Sequence, residues 1–300
     1  MPAASLRALL TQAIDYAGLF PPCSLPLERA LQNHAAYVRS PERWMLGAFI
    51  LPVRQFEAAG TQLAPFDPQY PLQISALGTK GENTAAFREA VEATVVAISE
   101  FSRRHGAGAP IGQLEMPLPT EGDRLSSLGE IMMSLGGTGL NIFWETPADA
   151  AVETIAGLAR SGAGFKLRTG GVTADAFPTS AQIARALVAA AKHAVPIKFT
   201  AGLHHPVRRF HESVGTKMHG FLNVLGAGVL GAEHGWSEAQ TEEMLADEEP
   251  ASFVFSEEEF RWRDWKISVD RISARRRMVT SLGSCSLDEP REDLRALKLL

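Results

Sequence analysis

The sequence predicts an α/β fold, a single (β/α)8 TIM barrel with an irregular C-terminal extension. The chain has 300 residues, which is an ordinary length for such a barrel. From residue 13 to about residue 235, short apolar segments alternate with longer segments of helical periodicity, and no Asn-Gly or Asp-Gly hairpin turn separates them. This alternation is typical of parallel strands joined by crossover helices, and the number of repeated units favours closure into a barrel.

Seven strands are predicted from the apolar segments: 13–18, 45–52, 72–77, 111–116, 139–145, 164–168 and 195–200. Helices are predicted over 27–38, 84–104, 124–134, 148–160 and 180–193. Because no internal repeat or low-complexity linker interrupts this pattern, we predict one domain over residues 1–300.

The last quarter of the chain is less regular, and residues 236–300 are predicted to hold the last strand region, a cap and terminal helices. The run Phe253-Val254-Phe255, followed by a second aromatic run over 260–265, indicates a hairpin or a strand with a cap. We place the eighth barrel strand at 252–255, a helix near 269–282, and a terminal helix from Asp288 onward.

Composition and charge argue against several classes of protein. The formal net charge is −5, so bulk electrostatics indicate neither a nucleic-acid partner nor an anionic-membrane partner. The first residues do not have the pattern of a secretory signal, and no apolar run reaches the ~18 residues of a membrane span. Two cysteines, far apart in the sequence and without metal-ligand spacing, fit a reducing compartment. We therefore expect a soluble, cytoplasmic protein.

The alternation of side chains along the strands predicts which residues face the barrel lumen. Successive side chains of a strand point to opposite faces, and the face that meets the outer helices must be apolar. In segment 113–116, Leu114 and Met116 form the apolar set, so the residues between them face inward. The same argument on five strands gives the inward set: Gln73, Ser75, Gln113, Glu115, Asn141, Phe143, Glu145, Lys166, Arg168, Lys198 and Thr200.

Five of these inward side chains are charged, which is unusual for a barrel lumen. Barrel interiors are normally filled by branched apolar side chains, and burying an unpaired ion costs several kcal/mol. The charges must therefore pair with one another or with a ligand. They lie just before glycine- or proline-containing loops at the C-terminal ends of strands, where barrel enzymes build their sites. This position favours a catalytic pocket over a closed network that only fixes the barrel register.

Two of the inward residues, Lys166 and Lys198, lie on consecutive strands, whose backbones are about 4.8 Å apart in a parallel sheet. A second cation and partial burial both lower the pKa of a lysine, because both disfavour its charged form. The neutral amine is the nucleophile that Schiff-base chemistry requires. The pair therefore indicates a lysine that forms an imine with a carbonyl compound.

Three segments also carry a local resemblance: Ile14-Asp15-Tyr16, Lys166-Leu167-Arg168-Thr169-Gly170-Gly171 and Ile197-Lys198-Phe199-Thr200-Ala201-Gly202. They resemble the deoxyribose-phosphate aldolase family of class I aldolases, in which two such strand ends carry the Schiff-base lysine and a second lysine that tunes it. The resemblance implies that Lys166 is the nucleophile and Lys198 its electrostatic partner. It is confined to the surroundings of the two lysines and is weak elsewhere.

Departures from the pattern of that family bear on the substrate. Arg168 replaces a small residue, and His204-His205 follows the second segment. The only candidate for the phosphate-binding Gly-Ser turn of the family is Gly283-Ser284-Cys285-Ser286, late in the chain. A phosphorylated substrate is therefore not indicated, and Arg168 is instead suited to clamp a carboxylate with two hydrogen bonds.

The sequence thus predicts an aldolase-like carbon–carbon lyase acting on a small, anionic carbonyl compound. The predicted catalytic residues are Lys166, Lys198, Glu115 and Glu145, with a glutamate as the proton shuttle. The predicted substrate-binding residues are Asp15, Asn141, Arg168, Thr200, Gly170, Gly171, Gly202, His204 and His205. No cofactor is predicted. The apolar segment 221–225 is either core or the face of a homo-oligomer.

Two alternatives remain open at this point. A divalent-metal-dependent lyase or isomerase would take ligands from the carboxylates Asp15, Glu115 and Glu145 and from both loop histidines, if the chain turns between Gly202 and Pro206. A non-enzymatic ligand-binding barrel would need no reactive lysine. Cys23 and Cys285 are expected to be inert thiols, although the turn around Cys285 could line the pocket.

Overall fold

The computed structural model of the chain describes residues 1–119, 128–135 and 137–300. Its strands are β1 (Ile14–Tyr16), β2 (Leu46–Pro52), β3 (Ile74–Leu77), β4 (Ile111–Pro117), β5 (Asn141–Glu145), β6 (Gly164–Arg168), β7 (Ile197–Thr200), β8 (Arg209–His211), β9 (Thr216–Met218), β10 (Phe253–Phe255), β11 (Glu259–Trp262), β12 (Trp265–Ser268) and β13 (Val279–Ser284). Its α-helices are α1 (Ala4–Leu10), α2 (Leu27–Tyr37), α3 (Phe56–Gly60), α4 (Thr84–His105), α5 (Leu128–Leu135), α6 (Ala151–Gly157), α7 (Ser180–His193), α8 (Phe221–His234), α9 (Glu238–Ala246), α10 (Val269–Arg275) and α11 (Asp288–Ala296).

Eight of these strands form a closed barrel in the order β1, β13, β7, β6, β5, β4, β3 and β2. Every neighbouring pair around the ring is parallel. Parallel neighbours require a crossover connection, and helices fill the connections between successive barrel strands. The predicted (β/α)8 barrel is therefore confirmed, with β13 as its eighth strand.

The predicted position of the eighth strand, 252–255, is wrong. Phe253–Phe255 is β10, which pairs antiparallel with β11 in a three-stranded sheet separate from the barrel. The barrel is closed instead by β13, where the sequence pattern predicted the end of a helix over 269–282. The pairing of β13 with β7 shifts register between Val279 and Leu282. This irregularity spaces two buried apolar residues by three positions, a spacing that resembles a helix rather than a strand.

The other seven barrel strands lie within two residues of their predicted ends. Helix α7 matches its prediction at both ends, because Thr179 and Gln182 form a capping box at its start and Ala194 ends it in a left-handed conformation. Helix α6 is shorter than predicted, ending at Gly157 after a 3-10 turn over Ala148–Ala150. Residues 124–127 of the predicted helix 124–134 lie outside the described residues.

Helix α8 is apolar on all sides and is buried from Phe221 to Leu230. It packs against α7, α9, α10 and β13, so the segment 221–225 belongs to the core of the protomer. The C-terminal extension covers this helix and is tied to it by polar contacts. Asn223 Nδ2 donates hydrogen bonds to the carbonyl oxygens of Met244 and Asp247, and Trp262 Nε1 donates to Asp247 Oδ2. Among the helices of the described ranges, none combines the length and apolarity needed to cross a membrane.

Candidate active site at the C-terminal mouth of the barrel

The barrel lumen contains a series of buried ion pairs among five side chains, and the strand alternation predicted four of these, all but Asp15, to face inward. Opposite charges alternate along the series, which runs from Asp15 through Lys198, Glu115 and Lys166 to Glu145. Each lysine nitrogen lies between two carboxylates. Because every member has an opposite charge within contact, the Coulomb attraction offsets the cost of removing these ions from water.

Lys198 is a fixed positive charge inside the barrel, only 1% exposed. Its Nζ lies 2.8 Å from Asp15 Oδ2 and 2.5 Å from Glu115 Oε1, and it donates to Gln113 Oε1 at 2.8 Å. These three acceptors match the three hydrogens of an ammonium group. The nitrogen also lies 5.1 Å from the ring centroid of Phe143, within the range of a cation–π contact. Lys198 is therefore suited to hold charge in place rather than to bind a ligand.

Lys166 has a different environment, because this residue lines a cavity at the C-terminal end of the barrel. Its Nζ lies 2.7 Å from Glu115 Oε2 and 2.9 Å from Glu145 Oε2. These two carboxylates leave one of the three ammonium hydrogens for another partner. Lys166 is directly opposite Lys198 in the β6–β7 pairing, and each lysine contacts a different oxygen of Glu115. Glu115 therefore lies between the two cations.

The electrostatics of the two lysines differ from the expectation drawn from the sequence. Burial alone would lower the pKa of Lys166, but the carboxylates of Glu115 and Glu145 outweigh burial and raise it. Burial alone would also lower the pKa of Lys198, but the carboxylates of Asp15 and Glu115 outweigh burial and raise it. Burial tends to raise the pKa of Glu115, but the two lysines hold it well below its usual range. The expected lowering of the Lys166 pKa is therefore not found, because Glu115 lies between the two amines and, with Glu145, raises the pKa of Lys166.

Asp15 is a buried counter-ion whose oxygens are already occupied. Its Oδ1 accepts a hydrogen bond from the Ala48 amide at 2.7 Å, and its Oδ2 accepts one from Ser281 Oγ at 2.6 Å. Asp15 and Asn141 both line a 570 Å³ cavity at the N-terminal ends of the strands. These two predicted substrate ligands therefore lie away from the C-terminal mouth. Sequence reasoning missed Ser281, because its strand was not recognised.

A cavity of 340 Å³ opens at the C-terminal ends of the strands and has Lys166 in its wall. Its polar and glycine lining includes Arg168, Thr200, Gly171, Gly202 and His204. The Arg168 side chain is 56% exposed, and its Nε lies 3.6 Å from Glu145 Oε1. Most of its donors are therefore available to an anion. The cavity at the N-terminal ends of the strands is larger. The cavity at the C-terminal ends, however, is lined by a lysine, an arginine and a histidine, and it lies at the face where barrel enzymes have their active sites.

The glycines after β6 and β7 allow their two loops to pack closely. A Cβ on Gly170 would lie 2.8 Å from Gly202 Cα, and Gly202 itself has a φ of +75°. Thr169 Oγ1 donates to the carbonyl oxygen of Ala201 at 2.6 Å and joins the loops. Gly170 thus has a packing role and does not line the cavity, whereas Gly171 and Gly202 do.

His204 and His205 contact different carboxylates on helix α11. His204 Nδ1 lies 3.0 Å from Glu289 Oε2, and His205 Nδ1 lies 2.6 Å from Asp293 Oδ2. His204 lines the mouth cavity, whereas His205 lines a smaller neighbouring cavity of 200 Å³ that His204 also borders. The ligands of the metal-dependent alternative are therefore not brought together. The two histidines contact helix α11, whereas the carboxylates of Asp15, Glu115 and Glu145 contact the two lysines. Within the residues that the structure describes, no three His, Cys, Asp or Glu side chains are arranged to hold a metal ion.

The turn Gly283-Ser284-Cys285-Ser286 begins within β13 and lies directly at the mouth. Cys285 lines the cavity, and its Sγ lies 2.8 Å from Cys23 Sγ and 4.0 Å from His204 Nδ1. Glu289, one turn further on, holds His204. Sequence reasoning missed the cysteine pair and Glu289, because only the closure of the barrel by β13 brings these distant residues together.

Comparison with models of known protein families gives no match, and comparison with curated proteins likewise gives no significant match. The assignment of a function therefore depends on the chemistry of the mouth.

Proposed function

We propose that this barrel is a carbon–carbon lyase that acts on a small anionic carbonyl compound through a Schiff base on Lys166. The observation that carries the proposal is the position of Lys166, which lines the 340 Å³ mouth cavity and holds its amine between two carboxylates. Lys166 and Arg168 line this cavity, and Glu145 contacts both of them from the end of β5. A lysine, an anion-binding group and a proton acceptor are the parts that imine chemistry needs.

Glu145 is the better candidate for the proton shuttle, and Glu115 for the fixed counter-ion. Glu115 contacts both lysines and accepts a hydrogen bond from Ser75 Oγ at 2.6 Å. Its pKa is held low, so it is a weak base. Glu145 contacts Lys166 at 2.9 Å and is partly exposed at the C-terminal end of β5. Glu145 therefore takes the proton that Lys166 must lose before its nitrogen attacks the carbonyl carbon.

The same carboxylates that keep Lys166 protonated also favour the imine once it forms. In the carbinolamine, the former carbonyl oxygen takes a proton from Glu145 and leaves as water, which gives a positively charged iminium. Its charge lies where the ammonium charge lay, between Glu115 and Glu145, so the buried carboxylates stabilise it. Glu145, a carboxylate again after this transfer, takes the proton of the hydroxyl group on the β-carbon of the substrate. The bond between the α- and β-carbons then breaks, its electron pair moves towards the iminium to give an enamine, and the β-carbon leaves as a carbonyl compound.

Size and charge of the pocket limit the substrate. A volume of 340 Å³ is at the lower end of the ~300–1,000 Å³ found for ligand pockets, which favours a small molecule. Arg168 supplies a half-exposed guanidinium at the rim, suited to a carboxylate. Thr200 adds a hydroxyl beside it in the β6–β7 pairing. Small keto acids and hydroxy keto acids are therefore the substrate class that we propose.

The proposal is tested by proton exchange at the carbon next to the carbonyl, which an enamine permits and which needs no cleavage. Small aldehydes and keto acids are incubated with the protein in deuterated buffer and followed by NMR. We expect exchange with the unmodified protein and with Lys80→Met, whose lysine is exposed, but none with Lys166→Met. Glu145→Gln should slow the exchange by about 10²-fold or more, the usual worth of a general base. Exchange that continues unchanged in Lys166→Met would contradict the imine.

A further inference from the structure

The only two cysteines of the chain meet at the mouth of the barrel, although 262 positions separate them in the sequence. The Cys23 thiol donates a hydrogen bond to Cys285 Sγ, with the two sulfur atoms 2.8 Å apart, whereas the sulfur atoms of a disulfide are about 2.05 Å apart. Both are free thiols. No third cysteine exists in the sequence to compete for either partner.

The two thiols differ in exposure and lie on different elements. Cys23 is exposed in the loop between β1 and α2, directly after Pro21 and Pro22, which line the mouth cavity. Cys285 is buried, follows β13 and lines the same cavity. The Ala17 amide donates to the Ser284 carbonyl oxygen at 2.7 Å and joins the start of this loop to the end of β13. The backbone thus holds both cysteines in place before any bond forms.

We propose that Cys23 and Cys285 are a reversible redox site, which hydrogen peroxide oxidises to an intramolecular disulfide that fastens the β1–α2 loop over the mouth. The proposal does not depend on the reaction proposed for Lys166. It concerns access to the cavity, whatever ligand the cavity accepts.

The oxidation proceeds in two balanced steps. The exposed sulfur of Cys23, as thiolate, attacks one peroxide oxygen, so that a sulfur–oxygen bond forms and the oxygen–oxygen bond breaks. The hydroxide that leaves takes up the proton that the Cys23 thiol had released and becomes water. The sulfur of Cys285 then attacks the Cys23 sulfur. The disulfide forms, the sulfur–oxygen bond breaks, and the departing hydroxide takes the Cys285 proton to give a second water. Two electrons pass from the thiols to the peroxide, and a dithiol reductant reverses the change.

The burial of Cys285 fixes the order of these steps. Burial, together with the contact to Cys23, raises the pKa of Cys285 to about 12, so this thiol is protonated at neutral pH. The peroxide therefore reacts first with the exposed partner, and the buried thiol resolves the product. This division of roles is the usual arrangement of a redox-sensing cysteine beside a resolving one.

The test uses the full chain, first reduced and then titrated with hydrogen peroxide, with intact mass, thiol counting and peptide mapping as readouts. We expect the mass to fall by two hydrogen atoms, both thiols to disappear, and one linked peptide pair to join Cys23 and Cys285. Cys23→Ser is the matched control, because its side chain is exposed and the fold does not depend on it; it should keep one unreacted thiol. Amide hydrogen exchange in residues 17–26 should slow on oxidation and return on reduction, while exchange in α4 stays constant.

Three outcomes would overturn the proposal. If peroxide adds oxygens to Cys23 while Cys285 stays reduced, or if Cys23 joins two chains, the pair is not a resolving pair. If the disulfide forms but exchange in residues 17–26 is unchanged, the bond does not fasten the loop. None of these results bears on the Schiff-base proposal, because proton exchange and adduct formation at Lys166 are measured in the reduced protein.

Discussion

Replacement of Lys198 by methionine removes the most deeply buried cation and keeps the length of the side chain. Asp15 and Glu115 then lose a charged partner at 2.8 Å and 2.5 Å while remaining 1% exposed. Removing one partner of a buried ion pair costs about 3–5 kcal/mol. Asp15 keeps hydrogen bonds from the Ala48 amide and Ser281, and Glu115 keeps Lys166, so we expect the lower end of this range, about 3 kcal/mol near pH 8.

The loss of stability caused by Lys198→Met should become smaller as the pH falls, and the titration of Glu115 gives the direction of this change. In the unmodified protein the lysines lower the pKa of Glu115, so its contribution to stability is complete above the unfolded value of about 4.5 and is lost as pH falls through the folded value. Without Lys198 this contribution is smaller, and protonation of the carboxylates relieves their unpaired charge. The difference in stability between the two proteins therefore narrows towards pH 4.

Urea unfolding near pH 8 and near pH 4.5 measures both effects. Lys80→Met, which removes an exposed lysine, should stay within about 0.5 kcal/mol of the unmodified protein. Adding Asp15→Asn to Lys198→Met should restore about 1 kcal/mol or more, because the orphaned carboxylate is then neutral. A cost below about 1 kcal/mol near pH 8, or a cost that grows in acid, would refute the account of the lumen as a set of mutually dependent ion pairs.

Three further substitutions test separate parts of the structure. His34 is fully buried, and burial lowers its pKa to about 3, so its contribution to stability is lost as pH falls from about 6.5 towards 3. Between pH 7 and pH 5, the free energy of unfolding of His34→Phe, measured in urea, should therefore fall by about 2 kcal/mol less than that of the unmodified protein. An equal fall in both proteins would contradict a lowered pKa of His34. Glu145→Gln removes a carboxylate 2.9 Å from Lys166 and should lower the pKa of that amine, because one of the two charges that stabilise the ammonium is lost. The pH profile of Lys166 reductive methylation, read by peptide mass, should shift to lower pH, and an unshifted profile would argue against the pairing. Arg168→Leu should weaken binding of a keto acid about tenfold but leave a neutral aldehyde unaffected, as measured by calorimetry; equal effects on both would remove Arg168 as the anion ligand.

The inward set of side chains was predictable because it depends only on the alternation of side chains along each strand. Glu115, Glu145, Lys166 and Lys198 came from that local rule, and the ion pairs among them connect four neighbouring strands. Their protonation was not predictable in the same way. The rule places both lysines inside but does not say that a Glu115 oxygen contacts each of them, which depends on the stagger of strands around the closed barrel.

The eighth strand shows where local rules fail. Its register shift between Val279 and Leu282 removes the period of two, and the preceding helix α10 extends the helical pattern into it. Missing this strand concealed Ser281, the position of Cys285 and its contact with Cys23. These features depend on barrel closure between residues distant in sequence, for which a single sequence carries no local signal.

Borohydride reduction in the presence of small aldehydes and keto acids, read by intact mass and peptide mapping, tests the central claim most directly. We expect one covalent adduct per chain, located on Lys166, retained in Lys80→Met and lost in Lys166→Met. The raised pKa of Lys166 keeps its amine protonated at neutral pH. Labelling of Lys166 should therefore become faster as the pH rises and the fraction of neutral amine grows. Adducts spread over exposed lysines, or an adduct that persists in Lys166→Met, would contradict the Schiff-base role of this residue.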